Sequence, residues 1–203
     1  SITTTETYTD PVLGVRLLNN TDGWDEGFHT KATFDRNDGP TFEWDVVVGH
    51  STPATMIGLF KESPLSYNFT NQHHTFYLQS NSISIRENGI SISTGLTSAW
   101  TSDDDFSENQ QFRLKITLLA AGARYEIYKD GDFTVPAFIY TSTTLTDQYV
   151  RPGASIHYSA RGIIFRAIAA GAQLGAATKI SGNTIKTGKI LSNNHSGTSN
   201  GSA

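Results

Sequence analysis

The feature that most constrains this chain is the spacing of its turn residues. From about Thr41 to Ala169, clusters of Gly, Asn, Asp and Ser recur between short runs in which apolar and polar residues alternate. Alternation at period two is the pattern of a strand with one face buried and one face wet. About ten such runs can be read, with no amphipathic helix between them, which predicts an all-β chain folded as a sandwich or jelly roll.

The strongest runs define their faces. In Phe42-Glu-Trp-Asp-Val-Val-Val48, the side chains of Phe42, Trp44, Val46 and Val48 share one side; Glu43, Asp45 and Val47 share the other. In Phe112 to Leu118, Phe112, Leu114, Ile116 and Leu118 oppose Arg113, Lys115 and Thr117. Glu87-Asn88-Gly89 predicts a tight hairpin between runs 82–86 and 90–93, since Asn-Gly accepts the positive φ of that turn. Ala121-Gly122 and Asp130-Gly131 predict further turns around Arg124–Tyr128. Runs 12–18, 30–34, 56–60, 74–79, 137–140, 155–158 and 162–168 complete the predicted strands, and 63–73 reads as a loop.

After Ala169 the pattern changes. Ile180, Ile185 and Ile190 recur at a spacing of five, with Gly182 and Gly188 between them. Neither a helix nor an ordinary strand has that period. One chain could not bury so sparse an apolar set, whereas several identical chains around an axis could. The expectation is a thin fibrous β tail in a homotrimer, giving a connecting segment with the first strands at 1–40, a jelly-roll domain at 41–170 and a fibre tail at 171–203.

Composition narrows the partners. The formal charge of −4 comes with no basic stripe, which argues against nucleic acid. No apolar run approaches the roughly 20 residues of a spanning helix, and the N-terminus is not signal-like, so neither membrane insertion nor an export signal is expected. The absence of cysteine removes disulfides, thiolate nucleophiles and cysteine metal sites. A chain that begins at Ser1 reads as a fragment or a processed product.

Two regions resemble known proteins. Met56–Leu59, Thr75–Leu78, Ile85–Gly89, the 100–106 loop and Tyr125–Gly131 resemble the concanavalin A-like (laminin G-like) lectin jelly rolls of phage tail fibres. The string Lys179 to Asn194 is similar to a segment near the end of central tail-fibre, or host-specificity, proteins of long-tailed phages. The resemblance implies a trimeric virion fibre whose tip attaches the particle to host cell-surface glycans through a lectin-like domain.

The candidate chemistry agrees with binding rather than catalysis. Jelly-roll glycoside hydrolases place Glu-x-Asp-x-x-Glu on one strand, and retention needs two carboxyl groups about 5–5.5 Å apart. Here Glu43 and Asp45 are present, but Val48 stands at the third position. A polysaccharide depolymerase with carboxylates drawn from elsewhere is the alternative, and a purely structural fibre segment is another. His29, His50, His73, His74, His157 and His195 form no ligand spacing and read as solvated. No Gly-x-Ser-x-Gly elbow occurs. Hence no catalytic residue and no cofactor is expected, with Ca²⁺ at Asp103-Asp104-Asp105 and Glu108 as the one metal option. Sugars present C–H faces that pack on aromatic rings and hydroxyls that seek planar polar groups. Loop residues are favoured for this role: Trp24, Tyr67, Asn68, Asn71, Trp100 and Asp103.

Overall fold

The computed structural model describes residues 7–10, 14–17, 23–24, 26–48, 54–64, 66–79, 82–97, 111–129, 131–157 and 163–172. The strands there are β1 (Thr7–Asp10), β2 (Gly14–Leu17), β3 (Glu26–His29), β4 (Phe34–Asp35), β5 (Pro40–Val48), β6 (Thr55–Lys61), β7 (Gln72–Gln79), β8 (Ser82–Glu87), β9 (Ile90–Thr97), β10 (Gln111–Leu119), β11 (Gly122–Tyr128), β12 (Phe138–Ser142), β13 (Tyr149–Ile156) and β14 (Ile163–Ala172). Single 3₁₀ turns at Arg36–Asp38 and Phe69–Asn71 are the only helical pieces among the described residues.

All pairings are antiparallel, in two sheets. The first runs β1-β2-β14-β5-β10-β11-β12; the second runs β3-β13-β6-β7-β8-β9, with β4 also on β13. Their inner faces meet in one core. Phe42, Trp44, Phe112, Leu114 and Ile116 come from the first sheet, and Ile57, Leu59, Phe76, Leu78 and Ile85 from the second, all 0–1% exposed. Trp44 is therefore core, as its place on the apolar side of its run predicts. The hairpin between β8 and β9 turns at Asn88 (φ 47°) and Gly89 (φ 86°), the conformation its Asn-Gly pair favours.

Fourteen strands are described where about ten were expected, β1 and β3 among the additions, and two of the departures have a clear cause. The strand expected at 30–34 is split, with β3 ahead of it, a turn at 31–32 and only β4 at its end. Arg151 explains the break: its Nη1 donates to the carbonyl oxygens of Thr30 (3.0 Å) and Lys31, taking main chain that a ladder would otherwise use. β13 is longer than the predicted 155–158 and runs through Pro152. A proline lacks the N–H a ladder needs and is expected at sheet edges. Here β3 pairs β13 at 153–156 and β4 pairs it at 149–150, so Pro152 falls in the gap between the two partners.

All the described strands lie in one compact unit, residues 1–173. Gly171 and Ala172, read from sequence as the start of the tail, end β14. The isoleucines of the predicted tail lie outside the described residues, as do Trp100, Asp103 to Asp105, Glu108, His50 and His195.

Candidate functional site

The outward face of the first sheet is built by the alternation that buries its other face. Register sets the polar residues in cross-strand rows. One row reads Glu43, Lys115, Glu126, Ile139 across β5, β10, β11 and β12. The next reads Asp45, Arg113, Tyr128, and the row on the other side reads Thr41, Thr117, Arg124, Thr141. Opposite residues on one face are close enough for ion pairs.

Those pairs form. Arg113 donates from Nε to Asp45 Oδ1 at 2.7 Å and from Nη2 to Asp45 Oδ2 at 2.8 Å. Its Nε also lies 3.2 Å from Glu43 Oε1. The hydrogen bond to Asp45 raises the Arg113 pKa further, so the guanidinium is a fixed cation. Glu126 accepts from Lys115 Nζ at 3.1 Å through Oε2 and from Arg124 Nη2 at 3.0 Å through Oε1. The Glu126 side chain is 9% exposed, Lys115 is 28% exposed and Arg124 is 45% exposed. Thr41 and Thr117 hydroxyls sit 3.1 Å apart in the row beside them.

An apolar border flanks this floor. The turn after β11 sets the Phe133 ring 4.4 Å from the Arg113 guanidinium carbon, a cation–π contact. Ile139, opposite Glu126 in the first row, is 49% exposed. Planar charged groups held in fixed positions next to exposed apolar carbon are what a hydroxyl-rich, ring-shaped ligand requires.

The sequence-predicted loop residues lie over the other sheet. Trp24, Tyr67, Asn68 and Asn71 gather above its outward face, and their described contacts are to the protein. Trp24 packs against His157 (5.0 Å between ring centroids), Phe69 (5.7 Å) and Tyr77 (5.8 Å). Tyr67 lies against Phe60 and His29 and covers Gly27, where an added Cβ would stand 3.1 Å from its ring and 2.3 Å from the Ala154 carbonyl oxygen. The Tyr67 carbonyl accepts from Ser155. The Asn68 carboxamide caps the 3₁₀ turn, accepting from Thr70 N at 3.0 Å, and Asn71 Nδ2 donates to the Ser66 carbonyl at 3.3 Å. Trp100 and Asp103 lie outside the described residues.

Two histidines correct the reading that they are solvated. His73 is 6% exposed, with Nδ1 at 3.1 Å from Asn88 Oδ1 and Nε2 at 3.1 Å from Asp147 Oδ2. His74 is fully buried, hydrogen-bonded through Nδ1 to the Tyr125 hydroxyl and 3.6 Å from Glu87 Oε1. Glu87 Oε2 accepts from Ser142 Oγ at 2.8 Å. Burial pushes the Glu87 carboxyl up, but His74, Ser142, Thr144 and Tyr125 together hold it down to about 2. Burial, and then the Glu87 charge, push the Tyr125 phenol well above its ordinary range. Adjacent histidines point to opposite sides of β7, and each side happens to be covered. Among the described residues no cluster of three His, Asp or Glu is arranged to hold a metal.

Sequence reading separated Arg113 and Lys115 from the apolar side of their strand but did not assign them, nor Arg124 and Glu126, to a site. These charges converge only when the β5–β10–β11 register is known. The hairpin turn before Arg124 was the signal that could have supplied half of it.

No known protein-family model matches this chain, and no curated protein is significantly similar to it in sequence. Solved structures are similar in fold. The exoplasmic/lumenal domain of VIP36 in its Ca²⁺/Man3GlcNAc-bound form is 13% identical with a TM-score of 0.58, covering 88% of this chain and 85% of that one. A legume lectin-like domain from Entamoeba histolytica is 11% identical with a TM-score of 0.56, covering 85% and 89%. An alginate lyase, A1-II′, is 9% identical with a TM-score of 0.52, covering 84% and 85%. The fold is thus a concanavalin A-like, lectin-type β-sandwich.

Proposed function

We propose that this chain is a carbohydrate-binding module that attaches a phage tail-fibre tip to host cell-surface glycans, and that the outward face of the first sheet holds the sugar. The observation that carries this reading is the rigid floor of Glu43, Asp45, Arg113, Lys115, Arg124 and Glu126 beside the apolar border of Phe133 and Ile139. Its groups are already oriented by one another, so a sugar hydroxyl meets them with little further loss of side-chain freedom. Structures of the same fold that carry mannose glycans or are legume lectin-like support a glycan as ligand.

How two of the carboxylates are used supports a reading of binding without cleavage. Both oxygens of Asp45 accept from Arg113, and Glu43 contacts the same guanidinium. The reading requires no metal. Trp24 and Tyr67 anchor their two loops to the second sheet, and the ligand sits on the first. The virion location and the homotrimer rest on the likeness of Lys179 to Asn194 to tail-fibre proteins and on the five-residue isoleucine spacing. Three copies on one axis would turn weak single-site binding into avidity.

The test is binding of the full chain to a glycan array and to bacterial cells, with Arg113→Ala and Ile139→Asp beside Trp24→Ala and Trp100→Ala. Selective binding lost in the first pair and kept in the second supports the assigned face. Loss only in the tryptophan variants moves the site to the loops. Shortened oligosaccharide products would establish the depolymerase, and no binding at all would leave a structural fibre segment. Sedimentation equilibrium of the full chain should give the mass of three copies.

A further inference from the structure

The charges on the sheet face are not evenly shared. On the β5 side two carboxylates, Glu43 and Asp45, divide one guanidinium, Arg113. On the β11 side two cations, Lys115 and Arg124, divide one carboxylate, Glu126. The face is neutral in sum and polarised across its width.

The donors follow the same asymmetry. Lys115 and Arg124 are diagonal neighbours across β10 and β11, a spacing that long side chains bridge. Lys115 carries three N–H donors and Arg124 five, and each spends one on Glu126. Arg124 is also the most exposed charged group of the set at 45%. By contrast, Asp45 has both oxygens occupied.

We propose that the site selects acidic sugars, with a uronate-type carboxylate seated on the solvent side of Lys115 and Arg124, on the N–H donors that are not spent on Glu126. This rests on the glycan-binding reading above. Arginine presents a planar fork matched to a carboxylate, and lysine adds a second charge from the neighbouring strand. The oligosaccharide then extends along the Glu43–Lys115–Glu126–Ile139 row, which crosses four strands. Hydroxyls of one sugar residue donate to Glu43, which is 31% exposed, and the C–H face of another reaches Ile139.

Calorimetric titration of the full chain tests this, using oligogalacturonate and the same oligosaccharide after reduction of its carboxyl groups to alcohols. The acidic form is expected to bind about tenfold more tightly, the scale of one charge-assisted hydrogen bond. Arg124→Ala and Lys115→Met should each abolish that preference, bringing the affinities for the acidic and the reduced form within about threefold of each other. Unchanged thermal unfolding would show that both variants fold. Equal affinity for acidic and reduced forms, or a preference that survives both variants, overturns the proposal and leaves the glycan-binding reading standing. If neither form binds and an array of neutral and acidic glycans is also blank, the glycan reading fails and this inference with it.

Discussion

Arg113 and Asp45 face each other across β10 and β5 and meet through two parallel hydrogen bonds of 2.7 and 2.8 Å. The guanidinium is held from a third side by the Phe133 ring. Isolated surface ion pairs contribute little, but a two-pronged pair with both side chains under a third exposed is better ordered than most. In a double-mutant cycle, Asp45→Ala and Arg113→Ala should show a coupling of about 1 kcal/mol in urea unfolding. Additive effects would mean that the pair is held by the fold rather than helping to hold it.

The Glu87 carboxyl makes stability depend on acid. Its folded pKa of about 2 lies below the ordinary 4.5, so its contribution is complete above pH 4.5 and is lost as pH falls from there toward 2. The full difference corresponds to roughly 3 kcal/mol. Thermal unfolding followed from pH 6 to about pH 2.5 should show a steeper loss for the native chain than for Glu87→Gln. Parallel curves would rule out Glu87 as a source of the acid sensitivity.

Tyr67 and Gly27 depend on each other. Gly27→Ala would drive a methyl group into the Ala154 carbonyl and the Tyr67 ring, and should destabilise the protein by more than about 2 kcal/mol. Tyr67→Ala should cost about 2 kcal/mol through lost packing on Phe60 and His29. Limited proteolysis should then cut the 62–71 loop in both variants and spare it in the native chain; equal resistance in all three would mean that the ring does not fasten this loop.

Trp44 Nε1 is buried without a hydrogen-bond partner. Trp44→Phe loses ring volume but removes an unsatisfied donor whose burial costs about 1–3 kcal/mol. The substitution should therefore change stability by less than about 1.5 kcal/mol, far below the 3–5 kcal/mol typical of deleting a core tryptophan. A loss at that upper level in chemical denaturation would point to a partner for the indole N–H.

How much of this was legible in the sequence depended on how local its cause was. The apolar sides of β5 and β10, the Asn88–Gly89 hairpin and the core place of Trp44 all follow from residues a few positions apart. β3 and β13 were misplaced because their boundaries depend on distant partners: Arg151 capturing the 30–31 carbonyls, and the gap between β3 and β4 that accommodates Pro152. The histidines were misjudged for the same reason, since what covers His74 is Tyr125, fifty-one positions away. The charged face was half legible. Alternation showed which side Arg113 occupies, and only register showed that Asp45 waits opposite it.

Arg151 has a consequence of another kind. Its guanidinium takes the carbonyls of Thr30 and Lys31 on one loop and of Glu62, at 2.6 Å from Nε, on another. Every residue type offers the same carbonyl. A clasp that grips main chain is blind to the side chains mounted on it, so residues 31 and 62 can be exchanged without loosening it, whereas Thr30 also ties its own loop by donating from Oγ1 to the Ala32 carbonyl at 2.8 Å. A surface under pressure to meet changing partners could vary its vocabulary there and keep its grammar.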